Sequence, residues 1–240
     1  MLIFLAALAV FLFAAVKLGL LLMEYGKGQQ EYQELEELAA AADTGEEKGT
    51  GEFSVDFDAL RAINPDIIGW IRFEHMDISY PIVQGTDNEY YLSHNFYKEE
   101  MRCGSIFMEV QNMPDFSDDN SFLYGHNMRD KSMFAKLNEF QDKQVYKENP
   151  EFLIYTPKGV LRYEIFSCHV AEVGEDSFTC KFGSKKQYAQ WQKTVTEQSL
   201  YDTGVKPEAA QKTVTLMTCT PAGDNYRFLV HGVLTEDGRK

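Results

Sequence analysis

The first 23 residues, MLIFLAALAVFLFAAVKLGLLLM, carry a single charged side chain, Lys17. A helix needs roughly 20 apolar residues to cross about 30 Å of hydrocarbon. Residues 1–23 meet that requirement, and the stem of Lys17 is long enough to snorkel. The run is therefore read as a transmembrane signal anchor. A cleaved signal peptide is the rival: its apolar core spans about 7–15 residues and ends at small residues. Here the apolar core continues to Met23, and Glu24-Tyr25-Gly26 follows, which favours the uncleaved anchor. No Lys or Arg precedes the span, so the positive-inside signal is weak. The acidic residues after the span nevertheless give no reason to hold that side in the cytoplasm. The expected topology is single-pass in the cell membrane with the remaining chain extracellular.

Residues 24–57 read as a stalk. Between Glu24 and Asp58 there are eleven acids and two lysines, a net −9 of the chain's −14. Residues 29–42, rich in Glu, Gln, Leu and Ala, have helical propensity. Residues 43–51, DTGEEKGTG, have the composition of a flexible linker. The simplest reading of the whole stretch is a solvated spacer.

Residues 58–240 then form one catalytic-sized domain. With 44% hydrophobic and 25% charged residues overall, the chain is globular, not disordered. Its acidic balance excludes a nucleic-acid binder, which needs a basic face to displace counterions. Short β-rich runs recur between turn signals at 67–73, 78–84, 104–110, 121–124, 152–156, 160–170, 213–218 and 227–234. Pro81 marks an edge or bulge within the second. Eight short strands with frequent turns predict a mostly β fold, a closed eight-stranded barrel with a few peripheral helices. Helical spacing of Met133, Phe134 and Leu137 predicts a helix over 131–140. A second is predicted over 184–200, opened by Ser184 and Gln187 and striped by Tyr188, Trp191 and Val195.

No P-loop, GxGxxG, HExxH or CxxC occurs, so nucleotide and zinc chemistry have no motif support. Three turn-rich sites stand out instead. Tyr124-Gly125-His126-Asn127-Met128 ends one strand, Thr215-Leu216-Met217-Thr218-Cys219-Thr220 ends another, and Arg227 opens the last. A Cys and a His at strand ends make a nucleophile and acid/base pair, and an Arg supplies fixed positive charge for an oxyanion. A strand-end Cys is equally a small buried hydrophobe in many folds, so spacing alone leaves a structural Cys219 open.

These three segments resemble the signatures of sortases, the cysteine transpeptidases of Gram-positive cell surfaces. The resemblance runs from Asn64 to Leu234 and includes Asn64-Pro-Asp-Ile-Ile-Gly-Trp, Tyr80-Pro-Ile-Val-Gln, Asp87-Asn-Glu-Tyr-Tyr-Leu and Gly104-Ser-Ile-Phe. The second and third of these, with the N-terminal anchor, look like class B. The stretch Cys219-Thr-Pro-Ala-Gly-Asp-Asn, with Arg227 eight positions after the Cys, looks closer to the pilin-polymerising class C. The resemblance implies a sortase-type barrel and cleavage of a sorting signal after its Thr. Cys219 would be the nucleophile, His126 the acid/base and Arg227 the oxyanion or substrate clamp, with Thr218 or Thr220 helping to position substrate. It implies secreted proteins bearing a sorting signal as donors and a peptidoglycan amine or a pilin lysine as acceptor, for wall anchoring or pilus assembly. No metal or other cofactor is implied. A Cys/His wall peptidase that uses water, and a non-catalytic binding module, are the alternatives.

Other candidates read as structural. Cys168 and His169 are strand neighbours on opposite faces and so form no dyad. His231 alternates with Leu229 and Val233 as a core residue, and His75 and His94 fall in loops. Cys103 and Cys180 are candidates for an extracellular disulfide, although nothing in the sequence brings them together. Asp115, Asp118 and Asp119 lack the spacing of an EF-hand and read as a polar loop.

Overall fold

The computed structural model describes residues 1–40 and 53–239. The chain begins with helix α1 (Leu2–Ala40), followed by the short helix α2 (Phe57–Ile63). Then come strands β1 (Ile67–Arg72), β2 (Ser79–Val83), β3 (Ile106–Met108) and β4 (Asn120–Tyr124). Helix α3 (Lys143–Glu148), β5 (Glu151–Thr156), β6 (Gly159–Glu172), α4 (Lys185–Glu197), β7 (Thr213–Cys219) and β8 (Tyr226–Asp237) complete the order. The strands close into one barrel in the order β1-β2-β3-β4-β7-β8-β6-β5. Closure leaves no unpaired edge. The pairs β2/β3 and β4/β7 are parallel and the others antiparallel.

The barrel interior is filled by alternating strand residues, among them Ile71, Ile82, Leu123, Ile154, Leu216 and Val230. Pro81 sits opposite Trp70, one step from a register shift, and β2 meets β3 only beyond it, at Ile82 and Val83. The proline thus falls where β2 asks no ladder bond of its missing N–H. Helix α4 covers the outer face of the β6/β8 pair. Ser184 accepts from the Gln187 amide, and Tyr188, Trp191 and Val195 are buried against Phe166 and Val233.

Two expectations change. The segment at 131–140 is not an α-helix: it turns through Lys131 and Met133 at positive φ and then forms a 3-10 helix over Ala135–Gln141. Met133, Phe134, Ala135, Leu137 and Phe140 are all buried. Tertiary packing of this apolar run overrides its helical spacing. The other change concerns the segment read as a solvated spacer. Helix α1 continues unbroken through the first part of it, as far as Ala40, and Tyr32, Leu35 and Ala39 are buried in the barrel's core cluster. Their i, i+3, i+7 spacing forms one apolar stripe. Polar contacts flank that stripe: Lys27 pairs with Glu99 at 2.7 Å, and Asn95 donates to Glu31 at 2.7 Å. By contrast the apolar side chains from Ile3 to Met23 project outward, exposed. The linker expected at 43–51 lies outside the described residues.

Candidate active site

Strand β7 carries its last residue, Cys219, to an exposed position on the rim of the barrel. Its antiparallel partner β8 places Arg227 directly opposite Cys219. Directly opposed residues hold their Cβ atoms about 4.5–5.5 Å apart on one face, so the guanidinium and the thiol share that rim. Arg227 Nη1 donates to the carbonyls of Asp224 at 2.7 Å and Tyr226 at 2.8 Å. These bonds fold the side chain over the β7–β8 turn. Both use Nη1, and Nε and Nη2 have no protein acceptor among the described residues.

His126 arrives from the other neighbour of β7. Strand β4 runs parallel to β7, with Tyr124 opposite Met217 and the Gly125 amide donating to the Met217 carbonyl at 3.1 Å. Two residues beyond this pair the chain brings His126 out at the same end of the barrel as Cys219. Gly125 is required just before it: a Cβ there would stand 2.5 Å from Ile106 Cδ1 and 2.7 Å from Phe134 Cδ2. The chain then leaves the sheet, and the Phe134 amide returns to donate to the His126 carbonyl at 3.1 Å. The imidazole Nε2 lies 2.7 Å from the Leu92 carbonyl oxygen. A carbonyl only accepts, so Nε2 carries hydrogen. Nδ1 is left as the atom for proton exchange.

A third side chain meets the backbone of Cys219. Asn138 Nδ2 donates to the Cys219 carbonyl at 3.0 Å. No sequence pattern announces this contact, because Asn138 lies 81 positions away and is an ordinary polar residue in its local context. Leu92 was visible only as part of the Asp87–Leu92 stretch, and its contribution is a carbonyl, which sequence does not encode.

The two threonines lie elsewhere. Thr218 is 1% exposed and alternates with Cys219, on the interior side with Val214 and Leu216. Its hydroxyl is buried without a partner. Thr220 is also buried. Neither hydroxyl is presented on the Cys219 face of β7, so this geometry gives neither a route to a substrate there.

The remaining candidates separate clearly. Cys103 and Cys180 are both free thiols. Cys103 packs beside Gly28 of α1, while Cys180 lies with Phe122 and Phe178 outside the barrel. Cys168 is buried in the core, and burial pushes its thiol up to about 12. His169 and His231 stack with ring centroids 5.1 Å apart beneath α4. Asp118 accepts from the Met113 amide at 2.6 Å and pairs with Lys181, Asp119 pairs with Lys185, and Asp115 accepts from Ser117. Each carboxylate has at least one oxygen committed to a protein donor, as in a polar loop. A cavity of about 320 Å³ lies between α1 and the barrel; its lining includes Tyr32, Tyr80 and Met133 but none of Cys219, Arg227 and His126.

Comparison with known proteins agrees with this geometry. The sortase domain family matches residues 71–235. Sortase B of Listeria monocytogenes is 33% identical over 234 residues, covering 96% of this chain and 94% of its own length. The crystal structure of Bacillus anthracis sortase B in complex with AAEK1 superposes with a TM-score of 0.79 at 31% identity, over 90% of this chain and all of that one. A Staphylococcus aureus sortase B–substrate complex gives a TM-score of 0.80 at 25% identity, over 89% of this chain and 99% of the other. A barrel of the sortase B type, matched along nearly its whole length and holding a Cys–Arg pair with a His on its rim, establishes that this chain belongs to the sortase family of cysteine transpeptidases, alongside the B class.

Proposed function

We propose that the chain cleaves a C-terminal sorting signal after its Thr and transfers the new acyl end to an amine of the cell wall. The register that sets Cys219 opposite Arg227, with His126 following the end of the neighbouring strand, is the observation that carries this reading. The Cys219 thiol passes its proton to His126 Nδ1, and the resulting thiolate, the reactive form of the side chain, attacks the Thr carbonyl carbon. The developing oxyanion is met by the free N–H groups of Arg227. The C–N bond breaks as His126 Nδ1 gives its proton to the leaving amine, leaving a thioester on Cys219. The acceptor amine then loses a proton to His126 and attacks the thioester, forming the amide and releasing the thiolate. Asn138 holds the Cys219 carbonyl while the thiol is substituted. No step needs a metal or organic cofactor.

The outermost part of α1 suits an uncleaved single-pass anchor. The helix is continuous from the apolar run into the packed stripe, which offers no extended segment for a signal peptidase. On this reading the barrel lies outside the cell, close to the membrane. The donors are secreted proteins with a sorting signal, and the S. aureus sortase B captured with substrate supports that class. The acceptor is assigned to a wall amine because the relatives named above are B class. A pilin lysine is the competing acceptor, favoured by the Cys219–Asn225 stretch.

The test is product partition. Full-length protein in detergent is mixed with sorting-signal peptides and either a cross-bridge amine or a pilin lysine peptide. Amine-capped product with the cross-bridge amine supports wall transfer, and preference for the lysine peptide reassigns the acceptor. Free acid as sole product despite saturating amine would replace transpeptidation with the water-using peptidase.

A further inference from the structure

The hydroxyl of Tyr32 is the one polar group that the buried face of α1 sends into the barrel, and it ends next to the supports of His126. It donates to the Gly104 carbonyl at 2.7 Å and lies 3.4 Å from Ser105 Oγ. Burial pushes the phenol well above its ordinary range, so it stays a donor at any working pH. Gly104 stands at φ +56°, where a Cβ would lie 2.5 Å from the Tyr91 carbonyl oxygen and 2.8 Å from that of Leu92. Its segment is laced to the segment of Leu92. The Ser105 amide donates to Tyr91 O at 3.0 Å, the Met101 amide to Ser93 O at 2.8 Å, and Ser105 Oγ to His94 O at 2.9 Å. The carbonyls on both sides of Leu92 are thus occupied by the 101–105 segment, and that of Leu92 goes to His126 Nε2.

A second arm reaches the same histidine. Tyr32 packs edge-on against Tyr80, with centroids 5.4 Å apart. The Tyr80 hydroxyl accepts from the Met133 amide at 2.9 Å, and the next amide, Phe134, donates to the His126 carbonyl. Tyr32 therefore stands beneath both the acceptor of the His126 ring and the turn that fixes its backbone.

We propose that Tyr32, on the helix that continues the apolar N-terminal run, is a positioning residue for His126. Through Gly104 and Tyr80 it keeps the Leu92 carbonyl against Nε2 and so holds Nδ1 as the proton-exchanging atom. The proposal rests on the role of His126 given above. It ties the helix that continues the apolar run to the catalytic apparatus through one hydroxyl, so removing that hydroxyl would loosen the histidine without touching the rim.

The experiment uses the full-length protein in detergent micelles, with histidine labelled by nitrogen-15. Tyr32→Phe removes the hydroxyl and keeps the ring. Leu35→Ala loosens the same helix and keeps the hydroxyl. The wild-type His126 spectrum is expected to show hydrogen on Nε2, and Tyr32→Phe a mixture of tautomers. Turnover in Tyr32→Phe is expected to fall roughly three- to ten-fold, about the equivalent of one hydrogen bond, with KM unchanged. Its pH profile of turnover should differ from that of the wild type. Leu35→Ala should lower the melting temperature at least as far and keep both the tautomer and the pH profile. An unchanged tautomer in Tyr32→Phe, or an equal loss of turnover and tautomer order in Leu35→Ala, overturns the proposal. His126→Ala run in parallel separates the two claims: wild-type turnover there would sink the role of His126 itself, leaving the tautomer spectrum to judge Tyr32 alone.

Discussion

The molecule holds Cys and His in two places, and their surroundings differ. On the rim, Cys219 is exposed, and His126 is tied through Nε2 to a carbonyl. Within the barrel wall, Cys168 faces the sealed core and His169 and His231 stack beneath α4, edge-on to Trp191 in the case of His231. Burial pushes the Cys168 thiol up to about 12 and the His169 imidazole down to about 4. His231 Nδ1 lies 2.9 Å from Thr215 Oγ1, and its Nε2 is buried with no partner among the described residues. Protonating it would bury a charge with no acceptor, and it lies well below the ordinary histidine range. The difference lies in position and not in residue type: the last position of β7 is exposed and the middle of β6 is sealed.

Substitutions should separate the two places sharply. The largest effect is expected at Cys219→Ala, which removes turnover entirely in the peptide assay. Cys168→Ala should leave turnover near wild type and cost about 1 kcal/mol of stability in denaturant unfolding. Equal losses of turnover in both would erase the distinction. Next comes Arg227→Lys, which keeps charge but loses the planar fork. A loss of about 100-fold in kcat is expected, the scale of removing one oxyanion donor.

The buried pair makes its own prediction in pH. His169 has a folded value of about 4 against an ordinary 6.5. Its contribution to stability is complete above pH 6.5 and is lost as pH falls toward 4, since only the unfolded chain takes up the proton in that window. At about 1.4 kcal/mol per pH unit the loss is about 3 kcal/mol. His169→Gln should flatten part of that slope in melting curves between pH 7 and 4 while leaving the pH profile of turnover in place. The smallest effect belongs to Thr218. Its hydroxyl is buried without a partner, so Thr218→Val should be neutral or stabilising by up to about 1 kcal/mol, with KM unchanged. A raised KM would return Thr218 to the substrate site.

Much of the barrel was legible because its strands are short apolar runs between turn residues, a pattern with period two that survives packing. Cys219, Arg227 and His126 were legible as residues at the ends of those runs. The 131–140 segment was misread because its apolar residues are needed on several sides at once, and a positive-φ turn at Met133 serves that better than a helix. The buried face of α1 was hidden by composition: five glutamates between Glu24 and Glu37 surround the apolar stripe at Tyr32, Leu35 and Ala39. Asn138 and the Leu92 carbonyl were not legible, since one contact spans 81 positions and the other is made by backbone.

The most direct test of the rim as the reactive place is to map the acyl group. Full-length protein is mixed with a sorting-signal peptide without any amine, quenched in acid, digested and read by mass. The account predicts a thioester on the peptide holding Cys219 and none on those holding Cys103, Cys168 or Cys180. An acyl group on another cysteine, or product formation by Cys219→Ala with no adduct anywhere, would contradict it.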